Sequence, residues 1–137
     1  MTQSPIEQLL AALDGLDVDR AAALLAPDIR MVLADGRRAV GAAEVRSLLS
    51  TFIGQVRATS HHITAQWHLD DTWIAEAQSS YELRDNVRLD LPGAFVVRAN
   101  TEGIFEMHAY GVYEQTLIEH QGAQEGLVVG GRWFPPL

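Results

Sequence analysis

Apolar residues are spaced in two different ways along this chain. In the first part they recur every three or four positions, as Ile6, Leu9, Leu10 and Leu13, then Val45, Leu48, Leu49, Phe52 and Val56. From residue 61 onward they alternate with polar residues. The first spacing is that of one helix face, and the second that of a strand with two unlike sides.

Local signals sharpen the helical part. "SPIE" is a capping box: Ser4 accepts from the amide of Glu7, and Pro5 suits the first helical position. Gly15 ends this helix. Asp17 caps a second through "VDRAAALLA", which Pro27 stops. "IRMVLADGRRAV" reads as a small hairpin about Asp35-Gly36, and Gly41 opens a third helix.

Four long strands follow: "HHITAQWHL", "TWIAEAQSSYELR", "VRLDLPGAFVVRAN" and "GIFEMHAYGVYEQTL". Asp70-Asp71, Asp85-Asn86 and Asn100-Thr101-Glu102-Gly103 punctuate them. Short turns between long strands predict an antiparallel meander. Helices first and a meander afterwards predict an α+β domain, with three N-terminal helices on one sheet face. Pro92-Gly93 suggests a bulge that curves the sheet strongly, giving a cone with a pocket. This domain is expected over residues 1–118. Residues 119–137 read as a polar linker, "EHQGAQEG", and an apolar tail, "LVVGGRWFPPL". Burial of Trp133 and Phe134 would favour ordered packing of that tail.

If each turn has a two-residue tip, Ala65 faces Glu76, His61 faces Ser80, Ser80 faces Leu91, Phe95 faces His108 and Val97 faces Glu106. One face then collects His61, Ile63, Ala65 and Trp67; Ile74, Glu76, Gln78 and Ser80; Leu89, Leu91, Phe95 and Val97; and Ile104, Glu106, His108, Tyr110 and Val112. It is mostly apolar, so it should turn toward the helices. Polar groups on it should then line a pocket, because a buried unpaired one costs about 1–3 kcal/mol.

Composition narrows the function. The 137 residues carry a net charge of −8 and scattered arginines, which disfavours nucleic acid and anionic membrane as partners. No cysteine is present, so disulfides, thiolate metal sites and a cysteine nucleophile are excluded. No run approaches a membrane span, and "MTQSPIEQLL" lacks the pattern of a secretory leader, so a cytoplasmic protein is expected.

The layout resembles the SnoaL-like branch of the nuclear-transport-factor-2-like superfamily. The resemblance spans roughly residues 4 to 118 and rests on "LDGLDVDRAAALLAPDIRMVL", "VGAAEVRSLL", "TSHHITAQW", "DTWIAEAQSSY" and "LDLPGAFVVRANTEGIFEMHAYGVY". It implies a cystatin-like cone, usually dimeric, with a hydrophobic pocket. That fold hosts polyketide cyclases, isomerases, dehydratases, epoxide hydrolases and members without chemistry. The arginine and aspartate of the epoxide hydrolases match Gln78 and Ser80, and the aspartate near the end of the last strand matches Val112. The hairpin tyrosine and asparagine match Met31 and Leu33, so epoxide hydrolysis is not expected. His61 matches a histidine of scytalone-dehydratase-like members.

Glu76 and His108 are the expected catalytic pair, about 9.6 Å apart across two strand spacings with Phe95 between them. A carboxylate shielded by Trp67 and Phe95, facing an imidazole, can move a proton between carbons or drive an elimination. The bland reading of the same pair is a buried Glu–His contact that satisfies only itself. His61, Gln78 and Tyr110 would orient the substrate, with Glu106, Met31, Leu33, Trp67 and Phe95 completing the binding site. His61 and His62 point to opposite sides of a strand, so no metal site is expected, and no cofactor either. Two functions stay open. One is a cofactor-free isomerase, cyclase or dehydratase acting on an apolar cyclic or polyketide-like small molecule. The other is a non-catalytic ligand-binding or dimerisation module. The opposite sheet face, read as Phe105, Met107, Ala109, Tyr113, Trp73, Ala75, Ala77 and Tyr81, would be a large apolar patch, so a homodimer through it is expected.

Overall fold

A computed structural model describes residues 3–33, 36–111, 127–129 and 132–134. The helical spacing gives α1 (Pro5–Asp14), α2 (Val18–Ala22) and α3 (Ala42–Gln55). Ser4 caps α1 through the Glu7 amide, Asp17 caps α2 through the Arg20 amide, and Gly41 precedes α3 with φ +90°. α2 is shorter than expected. It stops at Ala22, and Leu25 and Ala26 are already in β1 (Leu25–Val32).

β1 pairs with β2 (Arg38–Val40) as the expected hairpin. The long strands are β3 (Val56–Leu69), β4 (Thr72–Leu83), β5 (Arg88–Asn100) and β6 (Gly103–Gly111). They form the meander, and β1 adds to β6 in parallel, giving the order β2-β1-β6-β5-β4-β3. The fold is therefore α+β, with helices on one face of a six-stranded mixed sheet that stays open. β7 (Leu127–Val129) and β8 (Arg132–Phe134) make a separate small hairpin within the expected tail. The linker, Val112 and Tyr113 lie outside the described residues, as do the side chains of Trp133 and Phe134.

α1 buries Ile6, Leu9, Leu10 and Leu13, and α3 buries Val45 and Leu49. Beneath them lie Met31, Ala75, Ala77, Tyr81, Leu83, Phe95, Val97, Ile104, Met107 and Ala109. This corrects the face assignment. On β4 the residues toward the helices are Ala75, Ala77, Ser79 and Tyr81, while Glu76, Gln78 and Ser80 face away. On β6 they are Met107 and Ala109, while Glu106, His108 and Tyr110 face away.

Three backbone irregularities cause the inversion. The β4–β5 turn has three residues, Arg84-Asp85-Asn86, with Asn86 at φ +71° and the Val87 carbonyl accepting from the Leu83 amide. This puts Ser80 opposite Asp90 and Ser79 opposite Leu91. A three-residue tip with a left-handed last residue is a standard hairpin, but Asn in place of Gly hides it. In β6, Ala99 faces Ile104 and Arg98 faces Glu106, so Phe105 is an extra residue. In β3, Ile63 faces Ala77 and Ala65 faces Glu76, so Thr64 is extra. Each extra residue reverses the alternation beyond it. Pro92-Gly93, the expected bulge, pairs in unbroken register with Gln78 and Ala77.

Candidate active site

The chemistry on the inner face centres on His61, at the part of β3 that precedes the Thr64 bulge. Its Nδ1 is 2.7 Å from Asp14 Oδ1, and its backbone N–H donates to Asp14 Oδ2 at 3.0 Å. Nε2 lies 3.2 Å from the Tyr81 hydroxyl. Tyr81 and Phe95 both meet the imidazole edge to face. A carboxylate only accepts, so Nδ1 carries the proton toward Asp14, and an Nε2 without a proton accepts from the Tyr81 hydroxyl. Asp14 is the last residue of α1 and Tyr81 an inner position of β4. One helix end and two adjacent strands thus fix the three groups in line.

A cavity of about 60 Å³ opens beside them. Its walls are mostly apolar: Met31, Leu33, Leu48, Phe52, Phe95 and Met107, with Arg37 from the hairpin and Thr51 from α3 at its exposed side. The hydroxyls of Thr59 and Ser79, opposite Tyr81 and His61 in the sheet, are buried without a hydrogen-bond partner among the described residues.

Of the residues singled out from sequence, His61, Met31, Leu33 and Phe95 line this cavity. Asp14 and Tyr81 were missed. Asp14 looks like a helix-end residue, and Tyr81 falls on the wrong side of β4 once the turn is misread. Glu76, Gln78, Glu106, His108, Tyr110 and Trp67 come together elsewhere, on the sheet face away from the helices. There Trp67, Ile74, Val96, His108 and Val32 form one row across five strands. Glu76 lies in the next row, across Ala94 from Tyr110, so it does not share a row with His108.

That outer face carries its own polar chain. Arg98 donates to Asp71 and to Glu106 (3.1 Å), Glu106 is 3.3 Å from His108 Nε2, and the Tyr110 hydroxyl is 3.4 Å from His108 Nδ1. Burial works to raise the Glu106 pKa, but hydrogen bonds from His108 and Arg98 outweigh it and hold the carboxyl below its ordinary value. Asp71 is also held low, by hydrogen bonds from Thr72 and Arg98. Phe105, the bulge residue, lies 5.2 Å under the Arg98 guanidinium. Among the described residues, no group of three or more His, Cys, Asp or Glu could hold a metal ion, and no helix is long and apolar enough to cross a membrane.

No curated protein matches the chain in sequence. Solved structures do match in fold. A hypothetical protein with a ketosteroid-isomerase-like fold from Catenulispora acidiphila, in complex with trimethylamine, superposes with a TM-score of 0.72 at 20% identity, covering 80% of this chain and 86% of its own. A protein assigned as a SnoaL-like polyketide cyclase from Shewanella denitrificans gives 0.73 at 10% identity, over 85% and 94%. An LEH-like epoxide hydrolase from M. tuberculosis gives 0.70 at 19%, over 80% and 81%. These likenesses establish the fold. The family model for the SnoaL-like domain matches residues 6–107, most of the chain. With helices, sheet order and inner cavity as described, this chain belongs to the SnoaL-like family, a branch of the nuclear-transport-factor-2-like superfamily.

Proposed function

We propose that this chain binds a small, largely apolar molecule in the cavity beneath α3 and that His61 acts on it as a cofactor-free acid–base group. The observation that carries this reading is the Asp14–His61–Tyr81 alignment, in which His61 and Tyr81 both line the cavity and Nε2 is joined to the Tyr81 hydroxyl. A base so held can take a proton from a carbon acid or hydroxyl and return it elsewhere, as isomerisation, cyclisation or dehydration requires. Size limits the guest. The cavity, at about 60 Å³, is well under the roughly 150 Å³ that houses benzene. A substituent fits as it stands; a whole ring requires the side chains around Leu48 and Phe52 to move.

The inner positions of β4 that face this site, Ala77, Ser79 and Tyr81, include neither arginine nor carboxylate. That, with the small cavity, favours the second reading, a passive binding module. The two separate in heavy water. Small enolisable ketones that bind should gain deuterium beside the carbonyl, and His61→Ala should abolish the gain. Binding without deuterium incorporation by any of them would leave only the passive module.

The second expectation, a homodimer through the outer face, attaches to a different set of residues from those first read. Trp67, Ile74 and Tyr110 are exposed there, beside the Asp71–Arg98–Glu106 chain. An apolar row flanked by both signs of charge is self-complementary, which suits a two-fold partner of the same sequence.

A further inference from the structure

His61 stands between two hollows. One is the small cavity beneath α3. The other is an open groove of about 430 Å³ between α1 and β3, lined among others by Glu7, Ala11, Asp14, His62 and Gln66. The imidazole is 3% exposed, whereas the Asp14 side chain is 28% exposed. The ring therefore barely meets water, whereas its partly buried carboxylate partner reaches it. Asp14 also ends a helix, where the partial negative charge of the terminus disfavours a carboxylate. Stability of α1 gives no reason for an acid at this position.

We infer that Asp14 and the groove form a proton exit from the cavity, separate from the mouth by which a guest enters. The inference rests on reading His61 as the cavity's base. When the Tyr81 hydroxyl gives its proton to Nε2 and takes one from the guest, Nδ1 passes its own to Asp14 Oδ1, and the ring is left with one proton, on Nε2. Asp14, briefly a carboxylic acid, releases that proton to groove water and returns to carboxylate. One proton enters at Nε2 and one leaves at Asp14; the reverse sequence reloads the site. In an Asp–His pair whose carboxylate is buried, the acid orients the ring and stays ionised. Asp14 differs in its exposure: water favours the carboxylate, so a proton that reaches it is short-lived there and passes on to the groove. The groups facing this route are Glu7 and His62 in the groove and Tyr81 on the cavity side. A guest seated at Arg37 and Thr51 would block the mouth and leave this exit open.

The test uses the full chain with nitrogen-15-labelled histidine and no guest, reading the exchange of the His61 Nδ1 proton with water by NMR. Ala11→Trp fills the groove, and Thr51→Trp, at an exposed position of α3, fills the mouth. Groove filling should slow exchange about tenfold or more while mouth filling leaves it within about twofold, because exchange reports the local opening that admits water. Slowing by Thr51→Trp alone, or by neither variant, overturns the route. If Ala11→Trp does not fold, His62→Trp blocks the same groove from β3. The exchange needs no turnover, so its result stands apart from the deuterium assay. Groove-gated exchange without deuterium incorporation sinks the enzyme reading and, with it, the path's use as an exit; incorporation without groove gating sinks the route only.

Discussion

Gly103 is the position where a single methyl group should do most damage. It begins β6 at φ +122°, and β1 passes directly over it. A Cβ there would lie 2.7 Å from the Leu24 carbonyl oxygen, 2.9 Å from the Ala26 nitrogen and 3.0 Å from the Leu25 carbonyl carbon. All three are backbone atoms and cannot swing aside. The Leu24 carbonyl also accepts from the Ile104 amide at 2.9 Å, so relieving the clash stretches the bond that seats β1 on β6. The backbone strain costs about 1–3 kcal/mol and the forced overpacking about 1–3 more. Gly103→Ala should therefore lose roughly 2–6 kcal/mol of a total that for such domains is about 5–15 kcal/mol, lowering Tm by roughly 6–30 °C. Gly54, in α3, is the control: nothing lies within 4 Å of its would-be Cβ. Gly54→Ala should be neutral or gain up to about 1 kcal/mol, since alanine suits a helix better. Urea unfolding of the two variants beside the parent chain measures both. A loss below about 1 kcal/mol at Gly103 would refute the reasoning, because overpacking against backbone should cost more than that.

Three further outcomes are expected. Tyr81→Phe removes the partner of His61 Nε2 and should cost about 0.5–1.5 kcal/mol in urea unfolding, with the fold kept. Asp71, Asp90 and Glu106 titrate lower in the folded chain than their ordinary values of 3.8, 3.8 and 4.5. Their contribution is thus full above those values and fades as pH falls through the lower folded ones; melts below about pH 5 should show Tm dropping with acid, and Arg98→Gln should flatten that slope. Ile74→Lys, in the outer row, should give a monomer in analytical ultracentrifugation where the parent chain sediments as a dimer; a parent chain that is already monomeric refutes the dimer.

The helices and hairpins were readable because each is set by neighbours in sequence. Ser4, Pro5 and Glu7 start α1, Asp17 starts α2, and Asn100 to Gly103 closes the last hairpin in the expected register. The inner face of β5, with Phe95 and Val97, followed from alternation alone because that strand pairs without a slip against β4. β4 and β6 did not. Asn86 in the left-handed region adds one residue to a turn, and Phe105 adds one to a strand, and neither residue type announces it. Taken from β5, the longer turn points Glu76 of β4 away from the helices, and the extra residue in β6 does the same to His108. The Asp14–His61 contact joins residues 47 positions apart and carries no local mark at all.

The parallel seam between β1 and β6 has a consequence for how the molecule comes into being. Met31 and Met107 face each other across it, and both wall the cavity. During synthesis the first of the two leaves the ribosome long before the second. Until β6 arrives, β1 and its hairpin have no partner on that edge, and α3 has only half a floor to cover. Contacts so distant in sequence form slowly, since the entropy of closing the intervening chain is lost before they yield anything. The hollow should be among the last features to mature, and nascent chains halted before Met107 should expose the apolar surface that later becomes its wall.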